Sequence, residues 1–268
     1  MKFFGGNNRQ QDLSGGTRRL PACCPVTDHE VAAFTLIELL VVLAIIGLLA
    51  GVALPSLRNM TKSNSMIAAN RQILDDVSYA RQRALSDHTT VYMLFVPPQL
   101  TAATPPPSPV LAQQYTNLYG SQFTTYALVS LRSAGDQPGR ATPRYLTGWR
   151  TLPHGVFIAT NKFDPNNAAA FAFAVNFPFP VATNLPSPVI PLPYIAFDYL
   201  GRLLSGRDEY IPLARGSIFY ARDAAGNFIN SAADVQESPP FNSINNSNVV
   251  HIDWLTGRAR IERPEIQP

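Results

Sequence analysis

The chain has 268 residues and a formal net charge of +3, with 24 prolines, 16 glycines and two cysteines. The charge bias is weak and no basic stripe with interleaved aromatics occurs, so nucleic acid is not expected as a partner. The two cysteines, Cys23 and Cys24, are adjacent, which excludes a CxxC metal or redox site and a fold resting on several disulfides.

Residues 1–33 are polar, with Lys2, Arg9, Arg18 and Arg19 set against Asp12, Asp28 and Glu30. An apolar run follows from Phe34 to Leu54. As a helix it covers about 30 Å, the thickness of a bilayer's hydrocarbon core. It is too long for the core of an ordinary secretory signal. The basic residues before it favour a cytoplasmic N terminus with the remainder translocated. One carboxylate, Glu38, sits near the start of the run, where a charge is costly without a partner. Gly47 and Gly51, spaced i, i+4 with Ala44 nearby, allow close approach of another helix. Pro55 removes one backbone donor and can kink the helix without ending it.

Beyond Pro55, Leu57, Met60, Ile67, Leu74, Val77 and Leu85 recur at helical spacing, with charged residues between them. The pattern predicts one long helix over 34–87, membrane-spanning over about 34–54, whose second half lays an apolar stripe on a globular domain. Met60 and Tyr79 read as core contacts, and Asp75 and Asp76 as solvent-facing.

The remainder, 88–268, reads as β-rich. Thr89–Val96 is β-branched and aromatic and predicts the first strand, stopped by Pro97 and Pro98. A Pro-rich loop at 97–110, a strand over 123–131, a loop over 133–144 and a strand entered through Pro153-His154-Gly155 follow. The Pro- and Asn-rich stretch 161–193 reads as an insertion or long surface excursion. Its apolar segment 171–180 is either core or an exposed contact patch. Tyr194–Leu204 reads as a strand, a turn at Gly201 and a return. Tyr210–Tyr220 reads as a strand pair broken at Gly216, and 222–246 as a polar loop. Val249–Trp254 alternates like a half-buried strand and turns through Thr256-Gly257 into 258–261. The class is therefore α+β, a long N-terminal helix packed on a β-rich domain.

Phe34-Thr35-Leu36-Ile37-Glu38 after a short polar leader resembles the N terminus of type IV pilin-like proteins, the prepilins and type II secretion pseudopilins. The resemblance implies cleavage between Ala33 and Phe34 by a prepilin peptidase, N-methylation of Phe34, and assembly roles for Glu38 and Pro55. The family usually has Gly where this chain has Ala33. The implied partners are other major and minor pseudopilins or pilins, an inner-membrane assembly platform, and secreted cargo. The implied location is the inner membrane, single-pass, with the C-terminal domain in the periplasm. A narrower resemblance, to H-class pseudopilins and FimT-like minor pilins, is carried by Asp198-Tyr199-Leu200-Gly201-Arg202 and by Thr256-Gly257-Arg258. It implies a structural minor subunit of a type II secretion pseudopilus. A minor type IV pilin in pilus assembly, adhesion or DNA uptake is the alternative, and a non-assembling anchored binding domain is another.

No P-loop, GxGxxG, HExxH or GxSxG occurs. His88, His154 and His251 have no metal-ligand spacing, and Asp223 and Asp234 lack the spacing of an EF-hand, although major pseudopilins of the family can bind calcium. No catalytic residue, cofactor or metal is expected.

Overall fold

The computed structural model describes residues 35–100, 109–137, 139, 141–172, 175–178, 189–245 and 248–262; within these, the side chains of 51–63 and 189 are not described. The leader 1–33, the cleavage pair Ala33 and Phe34, and the two cysteines lie outside the described residues. The chain divides into two units, Met1–Val52 and Ala53–Pro268.

A single helix, α1 (Leu36–Asp87), contributes to both units. Pro55 lies inside it and does not end it. Within the second unit, Met66, Ala69, Ile73, Val77, Ala80 and Ala84 are buried and recur every three or four residues. This stripe differs from the expected one. Of the expected positions whose side chains are described, Val77 is buried, Leu74 packs at the stripe's edge, Leu85 is half-buried and Ile67 faces outward, as does Tyr79; the side chains of Leu57 and Met60 lie outside those described. Small alanines let the helix approach the sheet closely, so packing selects them where hydropathy alone favours the larger aliphatics.

The first sheet has the order β3 (Arg144–Tyr145), β2 (Thr125–Ser130), β1 (Val91–Phe95), β8 (Tyr194–Phe197), with β4 (Arg150–Thr151) also pairing β2. All pairings are antiparallel, and Met93 lies opposite both Leu128 and Ile195. In β1, Val91, Met93 and Phe95 join the cluster containing α1. Leu94, with Val96 just beyond, joins a second cluster with Tyr115 and Leu118 of α2 (Pro109–Tyr119) and with Phe177 and Ile190 of the hairpin β6 (Asn176–Pro178)–β7 (Val189–Pro191). A strand covered on both faces needs no polar alternation, hence the nearly continuous apolar run. Each buried large side chain contributes about 1.5–3 kcal/mol.

The second sheet has the order β10 (Asp234–Glu237), β9 (Glu209–Phe219), β11 (Asn248–Ile252), β12 (Ala259–Glu262), with β5 (Val156–Ile158) also pairing β9. β9 is one continuous strand, not a pair broken at Gly216. There the glycine admits the neighbouring backbone: an added Cβ would overlap the Gln236 carbonyl oxygen on β10. The expected polar loop 222–246 contains β10 and a short helix, α3 (Asn242–Asn245). Its polarity reflects an edge strand with exposed alternate residues. Part of the expected loop 97–110 and the residues after it form α2, which starts at Pro109, a residue suited to a first helical turn. The stretch 161–193 is not merely a surface excursion. Phe163, Phe171, Phe177 and Ile190 are core residues, and Phe171 stacks on Phe95 with ring centroids 4.2 Å apart. The architecture is α+β, as expected.

Candidate functional site

Thr35 caps α1. Its Oγ1 accepts a hydrogen bond from the backbone N–H of Glu38 at 3.3 Å, and its carbonyl accepts from Leu39 N–H at 3.2 Å. Thr followed three residues later by Glu is the arrangement of a capping box. Glu38 thus stands in the first turn, where the helix dipole favours a carboxylate. It is exposed, as are all described side chains from Thr35 to Ala50. Leu36 is 81% exposed and Leu48 72%, so this stretch presents an apolar surface. At Gly47 nothing lies within 4 Å of an added Cβ. Among the described residues, no helix is long and apolar enough to cross a membrane. The expected span, about 34–54, begins before and ends after the stretch 35–50 whose side chains are described.

In the second unit, Asp76 fastens α1 to the first sheet. It is 2% exposed, which corrects the expectation that it faces solvent. Tyr126 O–H donates to Asp76 Oδ2 at 2.6 Å, and Arg150 Nη1 donates to Asp76 Oδ1. Gln72 Nε2 donates to Tyr126 Oη at 2.9 Å and to the Thr151 carbonyl at 3.2 Å. Burial raises the Asp76 pKa above the ordinary carboxylate value, against the lowering effects of the Tyr126 hydrogen bond and the Arg150 charge. Burial, and then Asp76 itself, push the Tyr126 hydroxyl far above its ordinary range, so it stays a donor.

The two C-terminal motifs meet. Asp198 Oδ1 accepts from Leu200 N–H at 2.9 Å and Arg202 N–H at 2.8 Å, closing a turn in which Gly201 has φ +75°. Asp253 Oδ1 accepts from Thr256 N–H and from Thr256 Oγ1, both at 2.7 Å, ahead of Gly257 with φ +62°. An added Cβ on Gly257 would overlap the Gly201 carbonyl oxygen, so both the backbone angle and the space require glycine there. Leu203 N–H donates to the Trp254 carbonyl at 2.8 Å. From α1, Arg81 Nε donates to the Thr256 carbonyl at 2.6 Å, and its stem packs against both glycines. Residues distant in sequence thus form one brace between α1 and both turns.

Two further polar groups lie nearby. His251, buried on β11, is placed as its strand position implied. Its Nε2 lies 2.9 Å from Asp208 Oδ2 and its Nδ1 2.8 Å from Glu262 Oε1, while its ring stacks on Tyr210 at 4.5 Å. The Trp254 backbone N–H and then His251 hold Asp208 below the ordinary carboxylate value; Arg260 and then His251 do so for Glu262. Lys162 and Glu209 form a buried pair at 2.7 Å, with Lys162 Nζ also donating to the Ala169 carbonyl at 2.5 Å. Desolvation lowers the Lys162 pKa against the opposing charge of Glu209. His154 is exposed in its turn and Asp223 accepts backbone hydrogens of its own loop.

Sequence reading missed the roles of Thr35, Asp76 and Arg81. Thr35 was readable from its spacing to Glu38. Asp76 was not, because it is polar on a buried face and its partners Tyr126 and Arg150 lie 50 and 74 residues away. Nothing local marks Arg81, whose partners are 175 residues away.

Comparison with known proteins bears on the N terminus. Residues 30–54 match the prokaryotic N-terminal methylation motif. The chain therefore carries this methylation motif at its N terminus, where the residues from Phe34 to Glu38 had pointed to it. Among solved structures, the type IV minor pilin FimU of Pseudomonas aeruginosa aligns with 10% identity over 77% of this chain and 97% of its own, with a TM-score of 0.34. No curated protein matches this sequence.

Proposed function

We propose that this protein is a minor pilin-like subunit, anchored in the inner membrane as a precursor, cut between Ala33 and Phe34, and assembled into a filament through α1. The methylation motif over residues 30–54 carries this reading. The unpartnered apolar face of 36–50 and the open surface at Gly47 support it, because both suit a helix packed among other helices. Glu38 is an assembly residue: cleavage leaves a new α-amine at Phe34, and a carboxylate entering an apolar bundle needs a cationic partner such as that amine on a neighbouring subunit. The chain's own work is structural and not enzymatic. An assembly machine supplies the force, and the β-rich domain is displayed in the periplasm toward other subunits or cargo. The filament is a type II secretion pseudopilus; a type IV pilus is the second reading, supported equally by the methylation motif.

The test is Glu38→Leu in the native host. Cleavage is expected to persist while recovery of the subunit in sheared or crosslinked filaments falls at least tenfold. Undiminished incorporation would contradict the assembly role of Glu38. Loss of protein export, or instead loss of surface pili, on deletion of the whole chain separates the two filament readings.

A further inference from the structure

A concavity of about 620 Å³ opens where α1 ends, lined by Asp87, His88, Arg132, Ser133, Asp136 and Tyr199 among others. That volume is in the range of small-molecule sites. Two of its walls are held in unusual or rigid geometry. α1 terminates in a Schellman motif: Thr89 N–H donates to the Ala84 carbonyl at 3.3 Å, and His88 takes the left-handed position with φ 49°. Glycine normally fills that position without strain, and here a histidine on the cavity lining occupies it at a steric cost. Tyr199, also on the lining, is 55% exposed although its turn is fixed by Asp198 and braced through Gly201 by Arg81. An exposed ring on an immobilised turn is a ready stacking platform.

The remaining lining is polar and balanced in charge. Asp136 Oδ2 is fixed by the backbone N–H groups of Ser133 and Thr142, each at 2.8 Å, which hold the carboxylate in its ionised form. Arg132 stands beside it, exposed, and Asp87 is paired with Arg83 at 2.8 Å. Two carboxylates against one guanidinium and an imidazole disfavour a strongly anionic ligand. The lining presents apolar as well as polar surface, which suits a ligand with one apolar face.

We propose that this concavity binds a saccharide, with a pyranose ring stacked on Tyr199 and its hydroxyls bonded to Asp136, Arg132 and His88. Sugars present an apolar C–H face for an aromatic ring and vicinal hydroxyls that planar carboxylate and guanidinium groups engage in pairs. The inference rests on the β-rich domain alone and stands or falls independently of filament assembly.

The experiment is saturation-transfer NMR on the full chain in a detergent without a sugar headgroup, against a panel of hexoses, N-acetylhexosamines and uronic acids. Inorganic phosphate serves as competitor. Transfer to ring C–H protons of at least one sugar is expected, weakened at least tenfold in Tyr199→Ala and kept in Tyr199→Trp. Equal urea midpoints verify that the variants fold. If Tyr199→Ala fails to fold, Ala134→Trp, which fills the cavity from an exposed lining residue, is expected to abolish transfer. No transfer from any sugar, transfer indifferent to these variants, or displacement by phosphate at equal concentration would overturn the proposal.

Discussion

Tyr126 on β2 donates its hydroxyl hydrogen to Asp76 on α1 across 2.6 Å, inside a contact that excludes solvent from the carboxylate. This bond and the Arg150 pair on the other carboxylate oxygen tie the helix to the sheet. With the Arg81 brace and the apolar stripe, they fasten the part of α1 in the second unit to the β-rich domain.

Asp76→Ala removes the acceptor and leaves the Tyr126 hydroxyl with Gln72 alone. It is expected to cost about 2 kcal/mol, and Tyr126→Phe about 1 kcal/mol. A double-mutant cycle by urea unfolding should give a coupling of about 1 kcal/mol. Additivity of the two losses would show that the bond does not hold the interface.

Gly257→Ala is expected to cost more than about 1 kcal/mol, since a Cβ meets both an unfavourable φ and the Gly201 carbonyl. Gly226→Ala shares the positive φ, +86°, but has open space. The difference between their unfolding midpoints isolates the close approach. Equal losses would mean that only the backbone angle matters.

Asp208 and Glu262 have depressed folded pKa values, so the stability they contribute is present above their unfolded values and is lost as pH falls through the folded ones. The unfolded values lie near 3.8 and 4.5. Wild type should lose stability below about pH 4.5 more steeply than Glu262→Gln. Parallel acid-unfolding curves would contradict the contacts of Arg260 and His251 to Glu262.

Removing Lys162 from the buried Lys162–Glu209 pair leaves the Glu209 carboxylate with the more distant Arg207 at 3.7 Å as its cationic partner. Lys162→Met is expected to cost about 3–5 kcal/mol, whereas Lys162→Met with Glu209→Leu should recover much of the loss. Thermal unfolding of the single and double variants checks this; no recovery in the double variant would contradict the pairing.

The long helix, the strands around Val91, Tyr126, Ile195 and Val250, and the turns at Gly201 and Gly257 were legible because period, β-branched runs and turn residues are local signals. Three features were not. The alanines at 69, 80 and 84 pack by size, which hydropathy does not report. Gly216 looks like a chain break but serves a neighbouring strand. Asp76 is polar on a buried face, and its partners Tyr126 and Arg150 lie 50 and 74 residues away. At the N terminus the position was the reverse: the residues Phe34 to Glu38 pointed directly to the methylation motif that residues 30–54 match, because such a motif is a run of neighbouring residues.

The central claim, prepilin-type maturation, is tested most directly by intact mass and N-terminal sequencing of the protein from native membranes, with and without an active prepilin peptidase. A peptidase-dependent chain that begins at Phe34 and carries one added methyl group is expected. A chain that retains residues 1–33 in both strains would contradict it and leave the protein an anchored domain that does not assemble.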